Sequence, residues 1–240
     1  MLSIDDVERA AATIAGRVHR TPLLRSATLS EQLGADVRFK AELFQRTGSF
    51  KVRGALNRLA ELTGEERRRG VITISAGNHA QAVAWAAREA GLEALVVSWK
   101  TADELKMAAT RGYGATVDQQ ADDPTAAFER LAELHEETGR TLVHPFDDLA
   151  VIAGQGTVGL EVLEDGPAPD VVLVPVGGGG LVSGVATAVK ARRPGARVIA
   201  VEPELSPALH EALKAGTSVP VTPRASWGRI PSAAGSMPGR

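Results

Sequence analysis

The sequence predicts an α/β fold in which two open, mostly parallel twisted sheets are flanked by helices. The main observation is that short β-branched runs alternate with longer segments rich in Ala, Glu and Arg that have a helical period. Repeated alternation of this kind is typical of parallel sheets with helices packed on them. The second observation is the run DVVLVPV at 170–176, whose nearly continuous apolar character predicts a strand buried on both faces.

The individual elements follow from this pattern in chain order. Ser3 and Asp6 are spaced as in a capping box and predict the start of the first helix. Strands are predicted at 37–39, 70–75, 94–98, 115–119, 141–144, 170–176 and 197–203. Helices are predicted at 50–62, 78–91, 102–114, 124–139 and 180–195, and several end at glycine, as helices commonly do.

We divide the chain into two predicted domains and a tail. A large domain is formed by 1–65 together with 148–216, and a small α/β domain occupies 66–147. The stretch 217–240 is rich in Pro, Gly, Ser and Arg and has no usable period, so it predicts an irregular tail.

The composition narrows the classes of function. The net charge of -2 offers no attraction to nucleic acid or to an anionic membrane surface. The absence of cysteine excludes disulfides, thiolate metal sites and cysteine catalysis, and it fits a cytoplasmic protein. The amino-terminal segment carries acids where a signal peptide would be basic and then apolar. The uncharged run 171–189 is interrupted by Pro175 and four glycines, so it predicts a strand, a loop and a helix rather than a membrane span.

Two further types of catalytic site have no support in the sequence. The five histidines are scattered, without an HExxH motif or a nearby carboxylate cluster, so no metal site is predicted. A serine-hydrolase elbow of the form G-x-S-x-G is also missing.

Two glycine patterns differ in what they predict. Gly177 to Gly180 follow the strand at 170–176 and precede a helix, where glycine N–H groups and the helix amino terminus together form a phosphate cradle. A tight turn needs only one or two glycines, so four favour a ligand. GQGTVG at 154–159 matches G-x-G-x-x-G, but it lacks the preceding strand and the following acid of a dinucleotide site. We therefore predict no nicotinamide site.

The motif SAGNHAQ at 75–81 lies between a predicted strand and a predicted helix. Ser75 or Asn78 could cap that helix, and His79 could be an ordinary partly buried histidine. In the functional interpretation, the N–H groups at the helix start bind a carboxylate, and the Asn78 amide donates to a ligand oxygen. The motif alone leaves both interpretations open.

Lys51 lies in TGSFKVRGA, directly after Phe50 and at a predicted helix start. A helical lysine is usually a solvated charge with a pKa of about 10.4, and it is then not nucleophilic at neutral pH. Burial beside Phe50 would lower that pKa and expose a reactive amine. A reactive Lys51 amine would need a carbonyl compound to bond to. If that compound also carries a phosphate, the glycine run at 177–180 supplies a site for it.

The three motifs, in this order, resemble those of the serine/threonine dehydratase (threonine ammonia-lyase) family of pyridoxal 5'-phosphate enzymes, which have the tryptophan-synthase-β-like fold type II. The resemblance covers roughly 1–216 and includes AATRGYGA, HPFDD, AGQGTVGLE and VEP. It implies that Lys51 bonds to the cofactor aldehyde and later takes the Cα proton, that Phe50 packs near the pyridine ring, and that Asn78 donates to the ring's phenolic oxygen. It also implies a phosphate site formed by Gly177, Gly178, Gly179, Gly180 and Leu181, and a substrate-carboxylate site formed by Ser75, Gly77, Asn78 and His79.

The activity implied by the resemblance is α,β-elimination from L-threonine or L-serine, giving 2-oxobutanoate or pyruvate plus ammonia. Alternatives are a catalytically impaired remnant that still binds the cofactor, or a relative such as a hydroxyaspartate dehydratase, a serine racemase or a β-replacing synthase. Family members that racemise serine carry a serine where this chain has Ala76, which favours dehydration. Glu202 matches a metal ligand of those relatives, but Ala208 replaces an expected aspartate, so no metal is expected.

The carboxyl-terminal part departs from the family pattern. The family continues through further strands and helices and supplies a hydroxyl or thiol to the pyridine nitrogen. No such motif follows Ala225, although Ser226, Ser232 and Ser236 are present. The resemblance therefore predicts a truncated large domain, a small amino-acid substrate and, if the fold is complete enough, a homodimer.

Overall fold

The structure is a computed structural model that describes residues 1–217, 219 and 221. The helices are α1 (Ile4–Ile14), α2 (Ala27–Leu33), α3 (Lys51–Ala60), α4 (Gly64–Arg69), α5 (Asn78–Glu89), α6 (Glu104–Gly112), α7 (Pro124–Thr138), α8 (Leu149–Glu164), α9 (Gly180–Arg192) and α10 (Ala208–Ala215). The strands are β1 (Leu23–Arg25), β2 (Arg38–Lys40), β3 (Val71–Ile74), β4 (Ala94–Trp99), β5 (Thr116–Ala121), β6 (Thr141–Leu142), β7 (Val171–Pro175) and β8 (Arg197–Val201). Two 3₁₀ turns, Glu42–Phe44 and Arg46–Gly48, lie between β2 and α3.

Parallel pairing dominates the sheets, which confirms the predicted α/β class. A four-stranded parallel sheet has the order β5-β4-β3-β6, and β7 pairs with β8 in parallel. Parallel neighbours need a crossover, and α5, α6 and α9 supply it between consecutive strands. The short pair β1-β2 is antiparallel.

The four-stranded sheet is covered on both faces. On one side α3 and α5 contribute Val52, Leu56 and Val83 to a cluster that includes Val96 of β4. On the other side α7 packs against Ile72 and its neighbours in a second cluster. All four residues of β3 are buried, as expected for a central parallel strand.

Close glycine contacts bring α3, α8 and α9 together. A Cβ on Gly154 would lie 2.6 Å from the Cα of Gly54, and a Cβ on Gly156 would lie 2.9 Å from the carbonyl oxygen of Gly184. The G-x-G-x-x-G run at 154–159 lies inside α8. Its glycines permit α3 and α9 to pack closely against that helix. This agrees with the prediction that it is not a dinucleotide site.

Several features were not predicted or were predicted wrongly. The sequence analysis missed β1, α2, α4, α8 and α10. The expectation that the strand at 170–176 is buried on both faces is wrong in this structure, because α9 packs on one face and Leu173 on the other is 65% exposed. The domain division stays a prediction. The proposed tail lies outside the described residues, apart from Thr217, Val219 and Val221. Among the helices described, none combines the length and apolar character needed to cross a bilayer.

Candidate active site

Lys51 is the first residue of α3, and its side chain is half-buried. Its Nζ lies 5.4 Å from the centroid of the Phe50 ring and donates a 2.7 Å hydrogen bond to the carbonyl oxygen of Pro145. Burial lowers the pKa of Lys51 from 10.5 to about 8. At neutral pH a larger fraction of this amine is uncharged, and therefore nucleophilic, than in a solvated lysine.

His79 lies in the first turn of α5 and is only 3% exposed. Its Nε2 is 3.1 Å from the carbonyl oxygen of Val143, whereas Nδ1 has no hydrogen-bond partner among the described residues. Burial, and then the positive charge of Lys51, lower the pKa of His79 to about 3. The ring is therefore neutral at pH 7, with its proton on Nε2, and Nδ1 faces the protein interior as an unpaired acceptor.

The four glycines form the turn from β7 into α9. Gly179 has a φ of 88°, in the left-handed region that favours glycine, and Gly180 is the first helical residue. A Cβ on Gly178 would lie 2.2 Å from the ring of Phe146, so that ring lies directly on the glycine backbone. Only glycine permits this approach at position 178.

The segment 143–146, which follows β6, connects the three motifs. The carbonyl of Val143 accepts from His79, the carbonyl of Pro145 accepts from Lys51, and Phe146 lies on Gly178. Phe50 and Leu181 also pack against one apolar cluster beneath the glycine turn. The structure therefore brings TGSFK, SAGNHAQ and the glycine run to one place, at the carboxyl ends of parallel strands where α/β proteins bind ligands.

Helix capping distinguishes the helices that carry these motifs from most others. Six described helices begin with a side-chain cap, from Ser3, Ser26, Thr63, Asp103, Asp123 and Asp148. By contrast, α3, α5 and α9 follow Phe50, Gly77 and Gly179, which provide no such bond. Free N–H groups at helix amino ends attract anions.

The capping interpretation of SAGNHAQ is wrong. The residue before α5 is Gly77, which has no side chain, and the Ser75 hydroxyl instead accepts a 3.1 Å hydrogen bond from the Gly77 N–H. Asn78 is the first residue of the helix and is half-buried. The amino end of α5 is therefore open to a ligand.

The loop before Lys51 contains backbone strain and unpaired hydroxyls. Thr47 has a φ of 60°, which is unfavourable for a β-branched residue. The hydroxyl oxygens of Thr47 and Ser49 are buried without partners in the described structure. Each unpaired buried group costs about 1–3 kcal/mol, and such costs concentrate at functional sites.

Sequence reasoning missed a buried ion-pair network beside the lysine. Arg53 is fully buried two residues after Lys51, and its guanidinium bonds Glu42 at 2.8 Å and Glu161 at 2.6 Å. Lys40 adds a 2.6 Å contact to Glu161. These bonds hold the start of α3 against α8, and no spacing in the sequence indicates that the acids converge.

The segment 143–146 was also missed as part of the site. HPFDD contributed to the family resemblance, but none of its residues was assigned a role. Its position directly after a parallel strand was the available signal, because such loops line ligand sites. Glu202, noted for its match to a metal ligand, accepts hydrogen bonds from the N–H groups of Leu209 and His210 and thereby caps α10.

Among curated proteins, the chain is similar to a threonine ammonia-lyase. It is 47% identical over 216 residues to the L-threonine ammonia-lyase of Thermotoga maritima, an alignment that covers 90% of this chain and 54% of that protein. The chain thus spans about half the length of this curated relative.

Solved structures give the same result. The structure of maize serine racemase matches with a TM-score of 0.88 and 39% identity, covering 92% of this chain and 67% of that one. The threonine deaminase of T.th. matches with a TM-score of 0.85 and 46% identity, covering 91% and 71%. The model of the family described as "Pyridoxal-phosphate dependent enzyme" matches residues 14–238. The chain therefore belongs to this pyridoxal-phosphate dependent enzyme family.

Proposed function

We propose that the protein catalyses the pyridoxal-phosphate dependent elimination of water and ammonia from L-threonine or L-serine, producing 2-oxobutanoate or pyruvate. The observation that carries the proposal is the half-buried Lys51 amine, whose pKa is lowered to about 8 and which is joined to the glycine turn through 145–146. The relative from Thermotoga maritima is named for threonine deamination, which supports threonine as a substrate.

The residues present fit the cofactor by their chemistry. An aldehyde requires a neutral amine, which Lys51 supplies. A phosphoester requires several N–H donors without competing side chains, and Gly177 to Gly180 with Leu181 supply them at an uncapped helix amino end. The phenolic oxygen requires a donor, which we assign to the Asn78 amide, and Phe50 supplies an apolar ring beside the lysine.

The amino acid would be held by its carboxylate at the open amino end of α5. The N–H groups of the first turn and the hydroxyl of Ser75 lie there, together with Gly77, Asn78 and His79. A negative charge at a helix amino end is stabilised by typically 0.3–1 kcal/mol on exposed surfaces and by up to about 2 kcal/mol when partly buried. His79 is neutral and donates its one ring proton to the Val143 carbonyl, so the backbone N–H groups of Asn78 and His79, and not the imidazole, would bind this charge.

Proton transfer would be carried out by Lys51. Bound pyridoxal phosphate supplies an electron sink that makes the Cα–H of the amino acid acidic. Lys51 Nζ accepts that proton, and the carbonyl of Pro145 orients the amine while it does so. Position 76 is Ala, so no hydroxyl on that side chain can return a proton to the opposite face, which favours elimination over racemisation.

The test begins with cofactor binding rather than turnover. Pyridoxal phosphate added to the purified chain should produce a visible absorption band, and borohydride reduction should fix the pyridoxyl group on Lys51, as read by peptide mass spectrometry. Lys51→Ala should abolish both signals. Lys100→Ala, which removes an exposed lysine paired with Asp122, should leave both unchanged. Labelling of another lysine in the wild-type chain would refute the role of Lys51.

Activity then separates the proposal from its alternatives. Threonine and serine should each give a 2-oxo acid, measured by coupled reduction with NADH. Cofactor binding without product would favour the impaired remnant, whereas D-serine as the main product would favour a racemase. Analytical ultracentrifugation tests the homodimer that we propose, and cell fractionation tests the cytoplasmic location.

A further inference from the structure

His144 holds a tight turn at the junction of the three motifs. The N–H groups of Phe146 and Asp147 donate hydrogen bonds to its Nδ1, at 3.3 and 2.8 Å. Pro145, which lies between His144 and Phe146, has no N–H group. The imidazole also meets the ring of Phe146 edge to face, with the ring centroids 4.7 Å apart. One side chain thus binds both backbone donors of 145–147 and packs against the aromatic residue of the turn.

The residues of this turn make the contacts that join the candidate site. The Pro145 carbonyl accepts the 2.7 Å hydrogen bond from Lys51 Nζ. Phe146 lies on the glycine run with its backbone as well as its ring. A Cβ on Gly178 would lie 2.2 Å from the ring, and a Cβ on Gly180 would lie 3.1 Å from the Phe146 carbonyl oxygen. A change in the turn would therefore move the acceptor for Lys51 and the cover of the glycine run together.

The two hydrogen bonds also determine where the ring of His144 carries its proton. A ring nitrogen that accepts from N–H groups is unprotonated, so the neutral imidazole has its proton on Nε2. Burial lowers the pKa of His144, against the charges of Asp147 and Asp148, which raise it, and Lys51 on α3 lowers it further. His79 on α5 is neutral above pH 5 and adds no charge. At pH 7 the Nδ1 of His144 is therefore mostly available as an acceptor.

We propose that His144 is a positioning residue for Lys51, because its Nδ1 fixes the turn that aims the Pro145 carbonyl at the lysine amine. Lys51 donates to a backbone carbonyl, so the direction of the amine follows the orientation of that peptide plane. A reactive group must be held in its productive direction by neighbours that are themselves fixed. The inference rests on the role of Lys51 in the proposed function, and His144 acts without touching substrate or cofactor.

Protonation of His144 should loosen the turn. A second ring proton would lie on Nδ1, which could then no longer accept from Phe146 and Asp147. Since the pKa of His144 is lowered from 6.5, the turn should be intact at pH 7.5 and should open only as the pH falls below 6.5.

Two substitutions separate the acceptor from the ring. His144→Asn keeps an acceptor, because the amide oxygen can occupy the position of Nδ1, and it does not titrate. His144→Phe keeps an aromatic ring beside Phe146 but has no acceptor. In the cofactor-free chain at pH 7.5, amide exchange at Phe146 and Asp147 should be at least tenfold faster in His144→Phe and within about twofold of wild type in His144→Asn. Unchanged exchange at 71–74 in β3 shows that each variant is folded.

The second measurement is the pKa of Lys51 in the same three proteins, from competitive acetylation read by peptide mass spectrometry. A loosened turn admits water to the amine, so the pKa should rise from about 8 toward 10.5 in His144→Phe and stay at about 8 in His144→Asn. An unchanged pKa in His144→Phe would leave the turn a local structural feature and would overturn the positioning role.

The third measurement is pH dependence. Nitrogen NMR of the wild-type imidazole should show Nδ1 unprotonated at pH 7.5, and protection at Phe146 and Asp147 should fall below pH 6.5 in wild type but not in His144→Asn. A proton on Nδ1 at pH 7.5, or equal loss of protection in both proteins, would contradict the proposal. None of these measurements needs cofactor or turnover, so failure of the proposed function would leave their outcome intact.

Discussion

Replacing Lys51 by methionine should make the cofactor-free protein more stable, and by an amount that depends on pH. Methionine keeps the length of the side chain but has no charge to bury. Burial lowers the pKa of Lys51 from 10.5 to about 8, so the unfolded chain binds more protons than the folded chain between these values. The stability of the wild-type protein therefore rises with pH across this window, and that of Lys51→Met lacks this contribution.

The magnitude follows from the two pKa values. Below pH 8 the buried ammonium costs about 3 kcal/mol, at 1.36 kcal/mol per pKa unit. At pH 9.5 the folded amine is nearly neutral and the cost falls to about 1.5 kcal/mol. Loss of the hydrogen bond to the Pro145 carbonyl subtracts about 1 kcal/mol from the gain at every pH. The advantage of Lys51→Met should thus shrink by about 2 kcal/mol between pH 7 and pH 9.5.

Urea unfolding of both cofactor-free proteins at half-unit pH steps measures this difference. Other lysines and the tyrosine titrate in both proteins, so their contributions to the pH dependence of stability cancel in the difference. The pKa values of His79 and His144 are lowered, so these rings stay neutral throughout the window. If the two stability profiles run parallel, then Lys51 is solvated as an ordinary surface lysine, and the argument for its nucleophilic role fails.

Four further changes test the structure. Because the pKa of His79 is about 3 in the folded protein and about 6.5 when unfolded, stability should fall as pH drops below 6.5, and His79→Gln should flatten that fall in urea titrations. Gly156→Ala should cost about 1–3 kcal/mol by forcing α8 from α9, as measured by thermal unfolding. Asp148→Ala should cost about 1–2 kcal/mol in the same assay, because it removes both the cap of α8 and an ion pair to α3. Gly178→Ala should displace the ring of Phe146 and weaken pyridoxal phosphate binding at least tenfold by absorbance titration, and adding Phe146→Ala should restore part of it.

The sequence predicted most elements because their local signals agree with their environment. The helix at 124–138 has a cap, a proline in its first turn and a terminal glycine, and the strand at 71–74 is β-branched and buried on both sides. By contrast, α8 was missed because it contains Gly154, Gly156 and Gly159, which oppose a helix locally. Tertiary packing stabilises α8 despite these glycines, because they permit the close approach of α3 and α9.

The same distinction applies to the candidate site. Lys51, the glycine run and SAGNHAQ could be found because each is a compact motif with its own chemistry. The contacts that join them could not, because Pro145 acts through a backbone carbonyl, which any residue has. Arg53 was missed for a similar reason, since a buried arginine is identified by acids that lie far away in sequence.

The helices that carry the three motifs differ from most other described helices in how they begin. A serine, threonine or aspartate cap adds about 1 kcal/mol to a helix, and six described helices have one. The three helices that carry the motifs begin after Phe50 or glycine instead, so the chain forgoes that stability where the motifs meet. A side-chain cap would occupy the N–H groups that a phosphate or a carboxylate needs. The absence of side-chain caps on α3, α5 and α9 is therefore best explained by ligand binding at their amino ends. Once the start of each helix is known, the sequence alone shows that the residue before it cannot act as a cap.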